Sequence, residues 1–527
     1  MCSEQFEVFQ YNSCVSRGFC SLSLQNSALQ TVLVLYLRFF SKFAVEPKVF
    51  ANITNETKEF VLNTLSITIY NPEFNEKSFL YAVKVFRREL LNIMNCFSEK
   101  FPEKNIEEEK NEMLKLFQET ENVILATKYG EKRLRLVQEK LLPEIRDLYN
   151  IMLVIAKSIS INLLDLETFE LHSDEAFLSI LKLLSLINLN NLTVEELKSE
   201  IFKSARIDIE IMKKLYFAQE ERYGVQSVKE VSYSTTPGKA VLVVGSNIRE
   251  LESVLEYLKD KDIDVYTHDD MMLAHTFPKF SEYKHLKGQF GQGLENCLLD
   301  FATFPGPIIL TKHSLHNIEN FYRGRLFTTD YTTSPKGIIK INNGDFSLIE
   351  ESVKESRGFK TGKQCESVVI GYDYSQVIEL IEQKLSTKIY DKLFLIGLDG
   401  YSLEQKSYFE KLIKLTPCNT LIISFSYNVE KENLIHINAC FDSFSIMRIF
   451  DYVKTLGLDM RIFFPKCDRN TISQMIYLSE FDKVNVNIGK CTPIILNPTL
   501  LNTLESSFNI VGTSSAKKDL EKFFNGQ

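Results

Sequence analysis

Three cysteines fall close to the start of the chain, at Cys2, Cys14 and Cys20. Thiolates are soft, charged donors that suit iron, so this C-x11-C-x5-C spacing could grip an iron–sulfur cluster. A cubane takes four thiolates, and Gln5 stands where a C-x2-C opening would supply the missing one. The plainer reading is three ordinary thiols near a chain end. A second constellation is DVYTHDDMMLAHTFPKF, residues 264–280. Asp269 and Asp270 could serve as hard or borderline metal ligands, with His268 or His275 joining them. A histidine on an α/β loop can equally be a hydrogen-bonded structural residue, and Met271 and Met272 read as core. GQFGQG (288–293) does not directly follow a strand, so it reads as a flexible loop rather than a dinucleotide fingerprint. The turn VVGSNIRE also lacks the glycine triplet. There is no G-x-S-x-G, P-loop or H-E-x-x-H pattern, so hydrolase and NTPase readings have no support.

The elements that must position these residues change character along the chain. Residues 1–220 carry few Gly or Pro and long stretches of helical apolar spacing. In EKRLRLVQEKLLPEIRDLYNIMLVIAKSI, Leu134, Leu136, Leu141, Leu142, Ile145, Leu148 and Ile151 form a stripe near period 3.6. Thr193 and Glu196 have the spacing of a capping box. Glu107–Glu112 is a charge cluster that reads as a solvated face. Beyond STTPGK (234–239) the pattern is strand, helix, strand: AVLVVGS (240–246), NIRELESVLEYLKDK, IDVYT (263–267). That βαβ unit predicts a parallel sheet, with PIILTK (307–312) and GIIKI (337–341) as further strands. A second set begins with SVVIGYD near residue 366 and continues through KLFLIGLDG and NTLIISFS. The expected organisation is a helical domain over 1–225 with the N-terminal cysteines, then two Rossmann-like α/β domains with parallel sheets over 226–362 and 363–527. Functional loops should lie beyond the strands' carboxyl ends: Gly245-Ser246, His268–Asp270, Lys312–Ser314, Gly397–Asp399 and Ser424–Tyr427.

Composition narrows the classes. A chain of 527 residues is too long for one core, and 44% hydrophobic with 25% charged residues fits a soluble globular protein. A net charge of −8 disfavours a nucleic-acid partner or an anionic membrane surface. TVLVLYLRFF is broken by Arg38 and followed by Lys42, so it reads as a core helix, and no apolar run looks long enough to span a bilayer. MCSEQFEVFQ has neither a basic nor an apolar leader region, which predicts a reducing cytoplasm. The ten cysteines are then buried thiols or metal ligands.

The run GKAVLVVGSNIRELESVL, then VYTHDDMMLAHTFPKFSEYKHLKGQFGQG and FATFPGPIILTKHSL, resembles the hybrid cluster protein family, also called prismane proteins or hydroxylamine reductases. The likeness continues through RLFTTDY, LFLIGLDG, INACFDSFS and GKCTPIILNPTLLNTL, and RGFCSLSLQNSALQTVLVLYLRFF looks like the family's cluster loop and first helix. It implies a helical domain followed by two Rossmann-like domains, a plan shared with nickel-type carbon monoxide dehydrogenases. It also implies an N-terminal cubane on four cysteines. A hybrid iron–sulfur–oxygen cluster would sit where the three domains meet, on one His, two Glu and four Cys, one of them a persulfide. The implied activity is reduction of hydroxylamine or nitric oxide, protective against nitrosative or peroxide stress, with a redox protein as electron donor.

Carried over position by position, Cys2, Cys14 and Cys20 match three cubane ligands and Gln5 replaces the fourth, implying a 4Fe–4S cluster or a remnant of one. At the hybrid site the family's histidine is Ser246. Its first Glu, in Y-T-H-G-E-M, is Asp270. Its cysteine after the FPGPI strand is Ser314, its persulfide cysteine is Leu398 and the next cysteine is Tyr427, beside Ser426. Cys440 alone keeps a cysteine. The last Glu, in W-Y-E-Q-K, is Asp468, and the lysine two residues on is Asn470. Asp270 is one methylene shorter than Glu, and Leu398 can donate nothing. Most of the soft ligands are gone, which tells against the hybrid cluster. Three functions follow: a hydroxylamine-reductase-type oxidoreductase, an inactive descendant serving as a binding or regulatory protein, or a mononuclear metal site on Asp270, Cys440, Asp468 and Cys467. Cys467 and Cys491 are open as substitute ligands.

Overall fold

The computed structural model describes residues 24–68, 76–140, 142–187, 192–291, 297–312, 324–329, 338–341, 344–398, 403–439, 444–465, 469–489 and 498–525. Helices come first: α1 (Leu24–Ala44), α2 (Pro47–Phe50), α3 (Asn55–Ile67), α4 (Glu76–Lys100), α5 (Glu107–Glu119), α6 (Val123–Lys140), α7 (Pro143–Glu167), α8 (Asp174–Leu186) and α9 (Val194–Tyr223). The apolar stripe of the sequence is split between α6 and α7. Pro143 has no amide hydrogen to give to a preceding turn, so it starts a helix instead of continuing one. Helix α9 opens on the expected capping box: the Thr193 hydroxyl accepts from the Glu196 amide (3.3 Å), and the Glu196 carboxylate accepts from the Thr193 amide (2.8 Å).

Among the described residues α7 is the one helix long and apolar enough to cross a membrane, and 89% of its most apolar window is buried inside the protein. The sequence reading considered only TVLVLYLRFF, in α1; within α7 the apolar run is interrupted by Asp147, Lys157 and Asn162. All three are buried and bonded to neighbouring elements: Asp147 accepts from Thr503 (3.2 Å), Lys157 donates to the Thr68 carbonyl (3.1 Å), and Asn162 donates to Asp208 (2.9 Å). α7 is the axle of the helical bundle.

Two parallel sheets follow. The first comprises β2 (Ala240–Val244), β3 (Asp264–His268), β4 (Leu286–Gln289), β5 (Ile308–Leu310), β6 (Leu326–Thr328) and β7 (Ile338–Lys340), in spatial order β4-β3-β2-β5-β6-β7. The second comprises β9 (Lys392–Ile396), β10 (Thr420–Ser424), β11 (Leu434–His436), β12 (Asp459–Phe464), β13 (Val484–Ile488) and β14 (Ile510–Gly512), ordered β11-β10-β9-β12-β13-β14. Counted within each sheet, both read 3-2-1-4-5-6, the order of doubly wound folds. All pairings within them are parallel. AVLVV and TLIIS are buried at every position, as strands covered on both faces must be.

SVVIGYD does not join the second sheet. Its β8 (Ser367–Ile370) pairs antiparallel with β1 (Lys229–Ser232) in a separate two-stranded ribbon. Val369 faces outward, exposed, which a central parallel strand would not allow. GQFGQG is also not all loop: Gly288 and Gln289 belong to edge strand β4.

Helices α10 (Ile248–Leu258), α11 (Cys297–Thr303) and α12 (Ser347–Glu355) flank the first sheet. Helices α13 (Tyr374–Thr387), α14 (Leu403–Leu415), α15 (Ser445–Val453), α16 (Arg469–Leu478), α17 (Pro498–Phe508) and α18 (Ala516–Asn525) flank the second. The bundle's apolar core continues without a break into one face of the second sheet. At its other end the bundle meets the first sheet through a polar joint. Glu252 of α10 is buried and accepts from Arg222 Nε (2.9 Å) and Nη2 (3.2 Å), Arg249 Nη1 (2.5 Å), Lys279 Nζ (2.7 Å) and the Tyr223 hydroxyl (3.0 Å). Burial alone would raise this carboxyl, but the donors outweigh it and hold its pKa down at about 2.

Glu252→Ala should destabilise the protein by about 3–5 kcal/mol in denaturant melts, because it strands a cationic cluster around a lost partner. The same joint sets an acid limit. A carboxylate depressed from its ordinary 4.5 to about 2 contributes its full share above pH 4.5 and loses it as pH falls toward 2. Wild-type melting should fall across that window, and the fall should be smaller in Glu252→Ala.

Candidate functional site

In a sheet ordered 3-2-1-4-5-6, the first and fourth strands lead into connections on opposite sides, and a crevice opens beyond their carboxyl ends. Here those pairs are β2 with β5 and β9 with β12. The positions singled out in the sequence follow these strands or their neighbours. Ser246 follows β2, Asp270 follows β3 and Leu398 follows β9, while Tyr427 lies beyond β10. Cys2, Gln5, Cys14, Cys20, Ser314, Cys440, Cys467, Asp468 and Cys491 lie outside the described residues.

The first crevice is tightly tied. Thr311, just past β5, donates to the Val244 carbonyl from both its amide (3.0 Å) and its hydroxyl (2.8 Å). Asn247 caps α10, accepting from the Glu250 amide (3.1 Å). Glu250 then reaches across the strand ends, accepting from the Lys312 amide (3.0 Å) and the Thr329 hydroxyl, with the Lys312 ammonium at 3.7 Å. One carboxylate thereby joins the ends of β2, β5 and β6. Ser246 sits exposed beside it, after Gly245. The reading from sequence missed Glu250. Its signal was there as N-x-x-E, a cap and an acid in the first helical turn.

The Asp269–Asp270 turn is a 3-10 helix over Asp269–Thr276, and Asp269 has φ +62°. That left-handed region is one Asp tolerates and glycine prefers, and Y-T-H-G-E-M has glycine there. Gln289 holds the turn. The Asp269 carbonyl can only accept, so Gln289 gives it an Nε2 hydrogen (3.2 Å) and turns Oε1 to the Thr267 hydroxyl (2.6 Å). That hydroxyl has spent its one hydrogen, so at 2.9 Å His275 Nε2 must be the donor to it. Burial holds the His275 pKa down at about 4, so the ring is neutral near pH 7. His268 is fully buried, with Nε2 3.1 Å from Asp300 and its ring 5.3 Å from that of Phe301. Asp270 is half-buried. Both histidines thus have hydrogen-bonded places in the fold.

The second crevice is different in chemistry. Leu398 packs against the core that runs on into the bundle. Tyr427 lies in the core on the other face of the sheet, with Phe394, Ile396, Ile422 and Phe463, its ring stacked on Phe409 at 5.0 Å and 20°. These two positions therefore serve opposite faces. Past β12, α16 meets the bundle in a buried polar seam. Asp208 of α9 accepts from Asn162 Nδ2 (2.9 Å) and Ser473 Oγ (2.5 Å). Asn470 Oδ1 accepts from Ser158 Oγ (3.1 Å) and Asn162 Nδ2 (3.4 Å). A lysine at 470 has no acceptor atom and could not make those bonds.

Among the described residues, no group of three His, Cys, Asp or Glu could hold a metal ion. Leu398 offers no donor, and Tyr427 faces away from the bundle. The described positions therefore do not fit a hybrid cluster.

A family model described as Prismane/CO dehydrogenase family matches residues 2–444. Curated relatives named hydroxylamine reductase include one from Acidiphilium cryptum (strain JF-5), 23% identical over 96% of this chain and 94% of its own. Another, from Thermodesulfovibrio yellowstonii, is 23% identical over 97% of each chain, and one from Kosmotoga olearia is 28% identical over 64% of this chain and 66% of its own. Among solved structures, an α subunit of acetyl-CoA synthase/carbon monoxide dehydrogenase covers 94% of this chain and 81% of its own, at 11% identity and a TM-score of 0.47, too loose a likeness to argue from.

The seam can be tested by stability. Asp208→Ala leaves the Ser473 hydroxyl and the Asn162 amide short of an acceptor, and should cost about 2–4 kcal/mol in denaturant melts. Asn470→Lys should cost about 1–2 kcal/mol, since Ser158 then loses its acceptor.

Proposed function

The chain belongs to the Prismane/CO dehydrogenase family, and we propose that it is an iron–sulfur member of the hydroxylamine-reductase lineage that no longer assembles the hybrid cluster. In this reading it is a folded three-domain protein, divided near residues 225 and 362, with little or no hydroxylamine turnover, kept for a binding or regulatory role in the cytoplasm. Relatives named hydroxylamine reductase along most of the chain support the lineage. The observation that carries this reading is Leu398, an aliphatic side chain packed on the core at the strand end where the family resemblance puts a sulfur ligand. When bound, such a cluster supplies the redox chemistry, and the protein contributes ligands and electrostatics. Here the chain's own residues do other work at that place. Leu398 fills space, while Asn470 and Asp208 hold α16 to the bundle by hydrogen bonds. Exchanging polar or charged groups for packed apolar ones can leave stability unchanged or raise it, so the fold can outlive the cluster. The N-terminal Cys2, Cys14 and Cys20 are the proposed holders of any remaining cluster, a 4Fe–4S or its remnant.

The test is anaerobic expression with iron supplied, then iron and sulfide analysis and a steady-state assay with a reduced dye and hydroxylamine. The expected result is no more iron than one cubane holds, about four per chain, and no turnover above the protein-free rate. Turnover comparable to an intact family member, abolished by Cys440→Ala, would overturn the proposal. Removing iron with a chelator should leave the melting transition of the three-domain body unchanged.

A further inference from the structure

The joint around Glu252 holds more positive charge than one carboxylate can neutralise. Arg222, Arg249 and Lys279 all converge on it, and among the described residues it is the one carboxylate with which any of them forms an ion pair. Glu256, one turn along α10, is engaged elsewhere, with the Tyr283 hydroxyl (2.5 Å) and Lys259 (4.0 Å). Three cations on one anion leave two surplus positive charges at a single spot on a chain whose net charge is −8. Like charges held together cost free energy, and one cation would be enough to satisfy a buried glutamate.

The donors not aimed at Glu252 remain available. Glu252 already takes five hydrogen bonds, so it cannot absorb more. Arg222 uses Nε and Nη2 on it, and Arg249 uses Nη1 on it and Nε on the Thr168 carbonyl (3.2 Å). Arg222 Nη1, Arg249 Nη2 and two hydrogens of the Lys279 ammonium have no protein acceptor among the described residues. The three side chains are 40%, 30% and 33% exposed, so a solute can reach them. They are also held in place. Arg222 and Lys279 both lie over the Tyr223 ring, each 5.8 Å from its centroid, and the buried carboxylate fixes their heads. One free terminal nitrogen on each guanidinium and the free hydrogens of the ammonium give an oxyanion with two or more charges three positively charged donor groups.

We propose that Arg222, Arg249 and Lys279, organised by Glu252, form a binding site for a small multivalent oxyanion where the bundle meets the first α/β domain. None of its members is a strand-end residue of the candidate cluster site, so it stands or falls independently of the function proposed above. Two kinds of solute carry this chemistry, phosphate-type and polycarboxylate anions, and the probes separate them.

Calorimetric titration of the full-length protein at low ionic strength, with pyrophosphate and separately with citrate, is the test. The expected result is saturable one-to-one binding of at least one probe, the tighter naming the source. It should weaken about tenfold in Lys279→Gln, which keeps both arginines on Glu252, and vanish in Lys279→Glu. Binding should also weaken steeply as salt is added. No saturable binding to wild type, or affinity unchanged in Lys279→Gln, would overturn the proposal. Lys279→Gln carries the test if Lys279→Glu proves unfolded by circular dichroism.

Discussion

A parallel sheet covered on both faces has only its ends to offer to chemistry. Central strands such as β2 and β10 are buried at every position because each side chain meets a helix, above or below. Polar residues are therefore pushed to where the strands stop, and the doubly wound order separates the connections at one pair of strands in each sheet. Two sheets of the same order give two such crevices. The rest of the architecture decides what each is filled with.

The two have gone different ways. At the first, a carboxylate and two threonines bind the strand ends to one another, and a glutamine fixes the neighbouring turn. At the second, an aliphatic side chain and a tyrosine have joined the cores on opposite faces. In the function proposed above, the second crevice no longer holds a cluster between domains. The bundle and α16 then need another tie, and the seam of Ser158, Asn162, Asp208, Asn470 and Ser473 provides one inside the protein. Hydrogen bonds of this kind are strong where water is excluded and every partner is satisfied.

Much of the architecture was legible because it rests on periodicity. The apolar runs AVLVV and LFLI announced buried strands, and Thr193 with Glu196 announced the start of α9. Two edge strands, β4 and β11, were not legible. LKGQ and LIH are short and mixed, since an edge strand is half-paired and its composition looks like loop. SVVI read as a sheet strand because a ribbon and a sheet share the same local pattern, and the partner is more than a hundred residues away. At the candidate site, strand-end positions could be named from the sequence, whereas Glu250, Gln289 and Asp208 could not. Their roles depend on residues distant in the chain, and a single carboxylate or amide carries no period. Leu398 was legible as a side chain without donor atoms, and only the fold shows that Tyr427 lies in the core on the opposite face.

The ribbon of β1 and β8 has a consequence for how the chain is assembled. It brings the way into the first sheet and the way out of it side by side, from Lys229↔Ile370 to Ser232↔Ser367. The whole first sheet is thus a closed excursion from a body made of the bundle and the second sheet, which share one continuous core. Closing so long a loop costs only slightly more entropy than closing a short one, because the cost grows with the logarithm of length. Such an excursion can be lengthened, shortened or exchanged at the ribbon so long as its joint with the bundle around Glu252 is kept. Evolution could therefore rework the two halves of this protein at different rates, with four paired residues on each strand as the hinge of the trade.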